Sequence, residues 1–450
     1  MSRHVGKNAI FNVLGALLPA LIGLIVMPIF LKNIGADRLG VLTLAFGIMG
    51  FAGIFDLGIS RGLTQAVAAY AGRGYSLLSI SLLIRKTLPV IFGVGVFWCL
   101  LLIVFSNVIV GRVFHISNEW AEEVRVGIGF LAISLPIVVI SSGLMGALEG
   151  MQNFGLVNLI RMPASILVFL VPAFISYFTN DIGLIIASLT VIRLIFLIFW
   201  LVAVCSVFPD FLQGSKQKLE LPPMNHMWKF TGWLTVSNVV GPIMVQADRF
   251  YLASLFTPAA VAYYAVPLDI LSRATAFPQL AMNAAFPALA RAGVNSDEAK
   301  KMLRWATLLM SILWVIPLLI FSLCLHWFLI RWLGASFAEK SLEIAGWIML
   351  GVCVNGYAHI PYAFLQSEGR SDLTAKLHII ELPFYVCVLI ISVAEWGVLG
   401  AAKAWSFRVA FDAFLLYFVA YYKYTDRRFD FAIGFISVIS SILIFLLFVI

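Results

Sequence analysis

Charged side chains interrupt several otherwise apolar stretches of this sequence, and they are the residues best placed to do chemistry. One such stretch contains Asp248 and Arg249, and the next contains Asp269 and Arg273. Other apolar stretches contain Arg193, Lys403, Arg408, Asp412 and Glu381. Arginine stays charged at any physiological pH, and its planar fork of N–H donors fits phosphate or carboxylate oxygens. These cations therefore predict a polar, positively charged cavity that binds an anionic substrate such as a lipid pyrophosphate.

The same charges also admit a structural interpretation, as neutral pairs on single helices. Asp269 and Arg273 lie four positions apart, as do Arg408 and Asp412, and such neighbours can neutralise each other on one helix face. The cavity is favoured by the cations that lack an acidic residue three or four positions away, namely Arg193, Arg249 and Lys403. The candidate ion-pairing or ion-coupling groups are Asp56, Asp248, Asp269 and Asp412.

Sequence motifs for catalysis or metal binding are missing. The chain has no G-x-x-x-x-G-K-[ST] motif and no H-E-x-x-H motif, and its six histidines are scattered. The five cysteines are odd in number and no C-x-x-C occurs, so they predict neither a disulfide framework nor a zinc site. We therefore expect a protein that is not an enzyme and that uses neither a cofactor nor a metal.

The composition is typical of a membrane protein. Apolar residues make up 62% of the chain and charged residues 12%, about half of the roughly 25% usual in soluble domains. The mean hydropathy is +1.01. The formal net charge of +8 does not indicate a nucleic-acid partner, because the basic residues lie in short loops beside apolar segments. The predicted fold class is an all-α polytopic membrane protein, with the lipid bilayer as its surroundings.

Twelve apolar runs are long enough to cross a bilayer, which takes about 20 residues each. The predicted spans are 9–31, 39–59, 87–109, 125–147, 159–179, 183–206, 229–255, 259–286, 305–327, 344–366, 376–396 and 400–421. A further run, Phe431–Ile450, leaves two alternatives open: a thirteenth helix, or a sequence shorter than the native chain. The predicted total is therefore about twelve helices, with thirteen or fourteen as the alternative. The twelve predicted spans are complete by about Tyr422, so they could form the whole transporting unit without the last run. We therefore expect that deletion of this run leaves substantial transport.

The distribution of basic residues predicts the orientation. With the N-terminus inside, nineteen of the 30 Lys and Arg residues fall in inner loops, six in outer loops and five within spans. Basic residues concentrate in cytoplasmic loops of membrane proteins. We therefore expect a cytoplasmic N-terminus.

The loop between the sixth and seventh spans divides the chain into two halves. It is rich in proline and lysine, which is typical of a linker. The predicted domains are an N-terminal six-helix lobe at 1–206, a cytoplasmic linker at 207–228, a C-terminal six-helix lobe at 229–422, and a basic loop with an extra terminal apolar helix at 423–450. A weak repeat, Ala69–Gly74 against Ala288–Gly293, favours a parallel duplication.

Four motifs carry a resemblance to a known family. They are Pro28-Ile-Phe-Leu-Lys-Asn-Ile-Gly35, Asp56-Leu-Gly-Ile-Ser-Arg-Gly-Leu63, Asp248-Arg249-Phe-Tyr-Leu252 and Ala262-Tyr-Tyr-Ala265. Together with the two-lobe plan over roughly residues 5–425, they resemble the Wzx-type polysaccharide biosynthesis flippases. These flippases belong to the multidrug/oligosaccharidyl-lipid/polysaccharide exporter superfamily.

The resemblance implies a function, a substrate and a location. It implies two lobes around a central cationic cavity, in the bacterial inner membrane. It also implies flipping of undecaprenyl-pyrophosphate-linked oligosaccharide units to the periplasmic leaflet for O-antigen, capsule or exopolysaccharide synthesis. A polysaccharide polymerase and a chain-length regulator are candidate protein partners. In this family the first two helices of each lobe line the cavity, which adds Arg61 to the candidates. The substrate-binding candidates are then Arg61, Arg193, Arg249, Arg273, Lys403 and Arg408.

Three alternatives stay open at this point. A cation-coupled small-molecule or drug exporter of the same superfamily would instead show a surplus of buried acids. A lipid II-type flippase is the alternative that an additional terminal helix would favour. A membrane glycosyltransferase or polymerase would need a sizeable outer loop, whereas the predicted outer loops are at most about 17 residues long.

Overall fold

The computed structural model of the chain is built of helices. It describes residues 2–50, 55–113, 116, 119–208, 211, 244–282, 297–367, 371–423 and 428–448. Within these ranges no residue lies in a strand. The predicted linker at 207–228 falls almost entirely outside the described residues.

The helices are numbered here in chain order. The first six are α1 Ser2–Gly50, α2 Ile59–Gly72, α3 Leu77–Val108, α4 Ala121–Gly150, α5 Phe154–Ile175 and α6 Ile182–Val207. The others are α7 at 244–255, α8 Pro258–Leu271, α9 at 276–282, α10 Asp297–Met310, α11 Ile316–Leu323, α12 Leu325–Leu333, α13 Ala335–Ser367, α14 Ser371–Lys423 and α15 Arg428–Phe448. A 3₁₀ turn, Ser272–Thr275, joins α8 to α9, and a π-helical turn, Ser311–Val315, joins α10 to α11.

Within the described residues, seven helical segments are long and apolar enough to cross a membrane. They are Leu77–Gly111, Ala121–Gly150, Phe154–Ile175, Ile182–Val207, Lys301–Leu323, Ala335–Leu365 and Lys376–Tyr422. The all-α polytopic membrane fold predicted from the composition is therefore confirmed. The last segment is 47 residues long, or about 70 Å of helix at 1.5 Å per residue, against a hydrocarbon core of about 30 Å.

Glycines with positive φ bend the two longest helices. Gly397 in α14 has φ 59° and ψ −136°, and Gly35 in α1 has φ 78° and ψ 173°. Side chains other than hydrogen are disfavoured in such conformations. The bend at Gly397 falls between the predicted spans 376–396 and 400–421, so one continuous helical assignment covers both.

The chain clusters into two compact units. The first comprises residues 1–246 and 253–258, and the second comprises residues 247–252 and 259–450. In the first unit, α2 packs closely on α4 at two glycines. A Cβ on Gly146 would lie 2.7 Å from the carbonyl oxygen of Ser60, and one on Gly150 would lie 2.7 Å from that of Thr64. Small residues at this spacing let helix backbones approach closely in membranes.

The terminal apolar run forms α15 and packs within the second unit. The side chains of Phe431 and Phe445 are fully buried, and the Phe431 ring lies edge-on to Phe364, with centroids 5.2 Å apart. Gly434 faces the Tyr417 ring, where a Cβ would lie 2.5 Å from a ring carbon. This packing makes α15 an integral helix of the unit and argues against the expectation that its deletion would leave substantial transport.

Candidate functional site

Arg249 and Asp269 form an ion pair between neighbouring helices of the second unit. Both terminal nitrogens of Arg249 on α7 donate to the Asp269 carboxylate on α8, Nη1 to Oδ2 at 3.2 Å and Nη2 to Oδ1. The Arg249 side chain is 5% exposed and that of Asp269 is 22% exposed. Two parallel hydrogen bonds of this kind fix the planar guanidinium in one orientation. The acidic partner that Arg249 lacks on its own helix is therefore supplied by the next one.

Asp248 is fully buried and is held by hydroxyl groups. Its Oδ1 accepts the backbone N–H of Arg249 at 2.7 Å. Its Oδ2 accepts hydrogen bonds from Tyr264 and, at 3.3 Å, from Tyr385. A buried carboxylate costs free energy unless it is hydrogen-bonded, and these three donors meet that need. Tyr264 belongs to the Ala262–Ala265 motif, so one residue of this motif holds the buried Asp248 carboxylate.

Arg273 lies in the 3₁₀ turn after α8 and is half-buried. Its Nε donates to the backbone carbonyl oxygen of Asp269 at 3.1 Å. The Asp269 carboxylate is meanwhile taken by Arg249. The i, i+4 spacing allows a side-chain pair between Asp269 and Arg273. In the structure it is Arg249, and not Arg273, that orients the Asp269 carboxylate.

A second group of charges lies on α14. Arg408 Nη1 is 3.6 Å from Glu381 Oε1, and Asp412 Oδ1 is 3.7 Å from His378 Nε2. The Arg408 guanidinium also lies 5.3 Å from the ring centroid of Tyr385. Here again these ion pairs join residues far apart in sequence rather than the i, i+4 pair Arg408–Asp412.

These contacts join into one charged network in an otherwise apolar unit. The charged network consists of Asp248, Arg249, Asp269, Tyr385, Arg408 and Glu381. Tyr385 connects its two ends, because its hydroxyl donates to Asp248 and its ring lies beside Arg408. Glu381 is 1% exposed, and neither of its carboxylate oxygens accepts a hydrogen bond within the described part of the chain. Four of the candidate site residues predicted from the sequence, Asp248, Arg249, Asp269 and Arg408, therefore meet in one network together with Glu381. Arg273 and Asp412 lie next to it.

A cavity of about 590 Å³ with both polar and apolar lining residues also lies in the second unit. Asp412, His378 and His359 contribute to its wall. The ligand atoms of His378, Glu381 and Asp412 lie within 4.8 Å of one another, so the cavity adjoins the charged network. This trio has the donor types of a metal site, but the permanent charge of Arg408 beside Glu381 opposes a bound cation.

Lys403 lies on α14 among aromatic rings. Its Nζ is 4.4 Å from the ring centroid of Trp396 and 5.3 Å from that of Trp347. A lysine over aromatic faces is stabilised by the negative potential of the rings. These cation–π contacts of Lys403 do not involve the charged network.

The first unit contains the other three candidates. Arg61 is exposed at the start of α2. Arg193 on α6 donates from Nη1 to the Ser134 hydroxyl on α4 at 2.9 Å. Asp56 is buried, and its Oδ1 accepts the N–H of Gly58 at 2.7 Å.

Asp56 holds a turn at the start of α2. Leu57 and Gly58 both have positive φ, 51° and 73°, and Gly58 is the residue that precedes α2. An aspartate that accepts the N–H two residues ahead stabilises such a turn, and glycine adopts positive φ at no steric cost. The Asp-Leu-Gly motif therefore positions Arg61, because it sets where α2 begins.

Several residues of the site were missed by sequence reasoning. His359 and His378 were interpreted as scattered, and Tyr264 and Tyr385 were not singled out. One signal was available on α13, where Asn355, His359 and Tyr362 recur at helical spacing within an apolar run.

Comparison with known proteins places these features in a family context. The model of a family described as "Polysaccharide biosynthesis protein" matches residues 5–293. A protein of Shigella flexneri named "Putative O-antigen transporter" is 28% identical over 411 residues, which cover 91% of this chain and 96% of that protein.

Solved structures share the fold at low sequence identity. The lipid II flippase MurJ in an inward closed conformation matches with a TM-score of 0.69 and 14% identity, over 97% of each chain. An inward-facing MATE multidrug resistance transporter of the MOP superfamily matches with a TM-score of 0.66 and 14% identity, over 97% of this chain and 98% of the other. These likenesses establish the fold alone.

Proposed function

Because the chain belongs to the polysaccharide biosynthesis protein family and is a multi-pass membrane protein with the fold of the MOP transporters, we propose that it is a flippase for undecaprenyl-pyrophosphate-linked oligosaccharide units. It carries these units from the cytoplasmic to the periplasmic leaflet for O-antigen, capsule or exopolysaccharide synthesis. The relative named "Putative O-antigen transporter" supports a transport role in surface polysaccharide synthesis. Its surroundings are the bacterial inner membrane, and a polymerase and a chain-length regulator are its candidate partners.

The observation that carries the proposal is the charged network in the apolar second unit. Charged groups inside a membrane are costly, and they are kept where they serve a transport path. Arg273 lies beside the network, is half-buried, and has a guanidinium that suits a pyrophosphate. We therefore assign Arg273 as the substrate contact and Arg249 as the residue that positions Asp269. Arg408, Arg61, Arg193 and Lys403 are further candidates along the path.

Deletion of the gene tests the proposed function. We expect the mutant to lose its surface polysaccharide and to accumulate undecaprenyl-linked units that stay accessible only from the cytoplasmic side. A gel of surface polysaccharide and mass spectrometry of the lipid-linked pool measure these two effects. Loss of the polysaccharide without such accumulation would contradict a flippase and point to a synthetic step. Wild-type levels of both would remove the role altogether.

The proposal also fixes an orientation with the N-terminus in the cytoplasm. Of the six basic residues assigned to outer loops, Arg38 is paired with Glu123 at 2.9 Å and Arg125 is paired with Glu122. The orientation itself rests on the count of Lys and Arg, nineteen in predicted inner loops against six in outer loops, because the rule depends on basic residues and not on net charge.

Cysteine labelling checks the orientation. We expect Lys340→Cys to react with an impermeant maleimide in intact cells, because Lys340 is exposed and lies at the predicted outer end of α13. Lys216→Cys, in the predicted cytoplasmic linker, should react only after the cells are opened. A protein with all five native cysteines replaced provides the background. The reverse pattern would overturn the orientation.

A further inference from the structure

The cavity of the second unit is lined by neutral hydrogen-bonding groups more than by charges. Its lining residues are Gln279, Met282, Asn355, Ala358, His359, Tyr362, Ala363, His378, Asp412 and Leu416. No lysine or arginine occurs among the described residues that line it. Its volume of about 590 Å³ is within the usual range of about 300–1,000 Å³ for small-molecule sites. The cavity therefore suits a polar ligand without negative charge.

Most of these polar groups are not used by the protein itself. Within the described part of the chain, the side chains of Gln279, Asn355, His359 and Tyr362 take part in no hydrogen bond or ion pair. Polar side chains inside a protein normally find partners. Asn355 and His359 are half-buried, whereas Gln279 and Tyr362 are exposed at the mouth of the cavity. The unpaired side chains of Asn355 and His359 are therefore the ones that indicate a ligand as the missing partner.

We propose that this cavity is the subsite for neutral sugar residues of the transported unit. The proposal rests on the proposed function and assigns a second part of the substrate to a second set of residues. Amide side chains such as those of Asn355 and Gln279 both donate and accept hydrogen bonds, as do hydroxyl groups. A sugar presents several hydroxyls around a ring, and this cavity presents both donors and acceptors to meet them.

Helix α13 gives the subsite its shape. Asn355, His359 and Tyr362 lie at i, i+4 and i+7, so they share one helix face. Ala358 and Ala363 are on the same wall, and their small side chains leave room in front of the polar groups. Larger residues at these two alanine positions would shorten the cavity, so they are the positions at which glycan specificity would be set.

The charged groups next to the cavity suit the anionic part of the substrate, whereas the cavity itself suits the neutral part. Asp412 and His378 line the cavity and lie within 4.8 Å of Glu381, which is paired with Arg408. Arg249 and Arg408 thus lie in the charged network, Arg273 lies beside it, and none of the three belongs to the described wall of the cavity. Anionic and neutral parts of one substrate are accordingly recognised by adjacent but distinct groups.

A binding comparison with two probes tests this inference. The probes are the complete undecaprenyl-pyrophosphate-linked unit from the source strain and undecaprenyl pyrophosphate without sugar, each titrated against the purified full-length protein. We expect the wild type to bind the complete unit more tightly than the bare lipid. His359→Leu should lower the affinity for the complete unit by about tenfold, since it removes one or two hydrogen bonds, and should leave the affinity for the bare lipid unchanged.

A matched variant and the folded state serve as controls. His326→Leu makes the same change at an exposed position on α12, away from the cavity, and should bind both probes like the wild type. Asn355→Leu is the second cavity variant, in case His359→Leu lowers the thermal midpoint. An unchanged preference for the complete unit in both stable cavity variants would overturn the subsite, as would a wild type that binds the two probes equally. Binding of neither probe by the wild type would instead count against the proposed function.

Discussion

Replacing Arg249 with glutamine is expected to destabilise the folded protein. The guanidinium is buried, and it is bonded through two nitrogens to the Asp269 carboxylate. Its loss leaves the half-buried Asp269 carboxylate without its counter-charge. Breaking a fully buried pair in this way costs about 3–5 kcal/mol, which is the upper bound for this pair. We expect a fall of up to about 3–5 °C in the thermal midpoint of the detergent-purified protein, together with a lower yield of monodisperse protein.

A double variant separates the pair from other roles of Arg249. Arg249→Gln combined with Asp269→Asn removes both charges, so it should recover most of the lost thermal stability. Arg331→Gln, which changes an exposed arginine on α12, controls for the loss of one positive charge. If the single variant melts at the wild-type temperature, or if the double variant is no more stable than the single, the pair does not hold the two helices together.

The membrane-spanning helices could be predicted from the sequence, because the hydrophobicity of a span is the sum over its residues and needs no knowledge of the packing. Predicted spans 125–147 and 183–206 fall within α4 and α6, and the apolar composition alone required helices. The bend at Gly397 could not be predicted from the sequence, because a glycine in an apolar run is equally consistent with close helix packing. Only the φ angle distinguishes these two roles.

The partners of the charged residues could not be predicted from spacing. The i, i+4 rule considers one helix, whereas Arg249–Asp269 and Arg408–Glu381 join residues 20 and 27 positions apart. Which helix faces meet depends on the packing of the whole unit. The residue types were nevertheless informative, because a cation kept inside a membrane needs a partner somewhere. The sequence thus identified the charged participants, and the structure identified their partners, including the two tyrosines that bond to Asp248.

The Asp56-Leu-Gly motif illustrates the opposite case. The sequence predicts its aspartate as an ion-pairing or ion-coupling group, and in the structure its carboxylate holds the backbone of a turn with two successive positive φ values. An Asp that is followed two residues later by Gly is a common turn signal. Local hydrogen-bonding chemistry was therefore sufficient to suggest this role, without reference to substrate.

Replacing Arg273 with alanine is expected to abolish export and to leave the amount of folded protein unchanged. Arg273 donates to a backbone carbonyl of Asp269, while the Asp269 carboxylate keeps its pair with Arg249. Removal of Arg273 therefore leaves the Asp269 carboxylate with its Arg249 partner, and the thermal midpoint should stay near that of the wild type. This contrast with Arg249→Gln is the signature of a substrate contact.

The binding defect of the Arg273 variant should lie in the pyrophosphate part of the substrate. A lost charge-assisted hydrogen bond of about 1.5–3 kcal/mol corresponds to a drop of between about 10- and 150-fold in affinity for undecaprenyl pyrophosphate. Arg273→Lys should recover part of this affinity, since lysine restores the charge without the two-pronged geometry of the guanidinium. Surface polysaccharide and lipid titrations of the purified variants measure the two effects. Normal export by Arg273→Ala, or a loss of thermal stability as large as that of Arg249→Gln, would show that Arg273 supports the fold and does not bind the substrate.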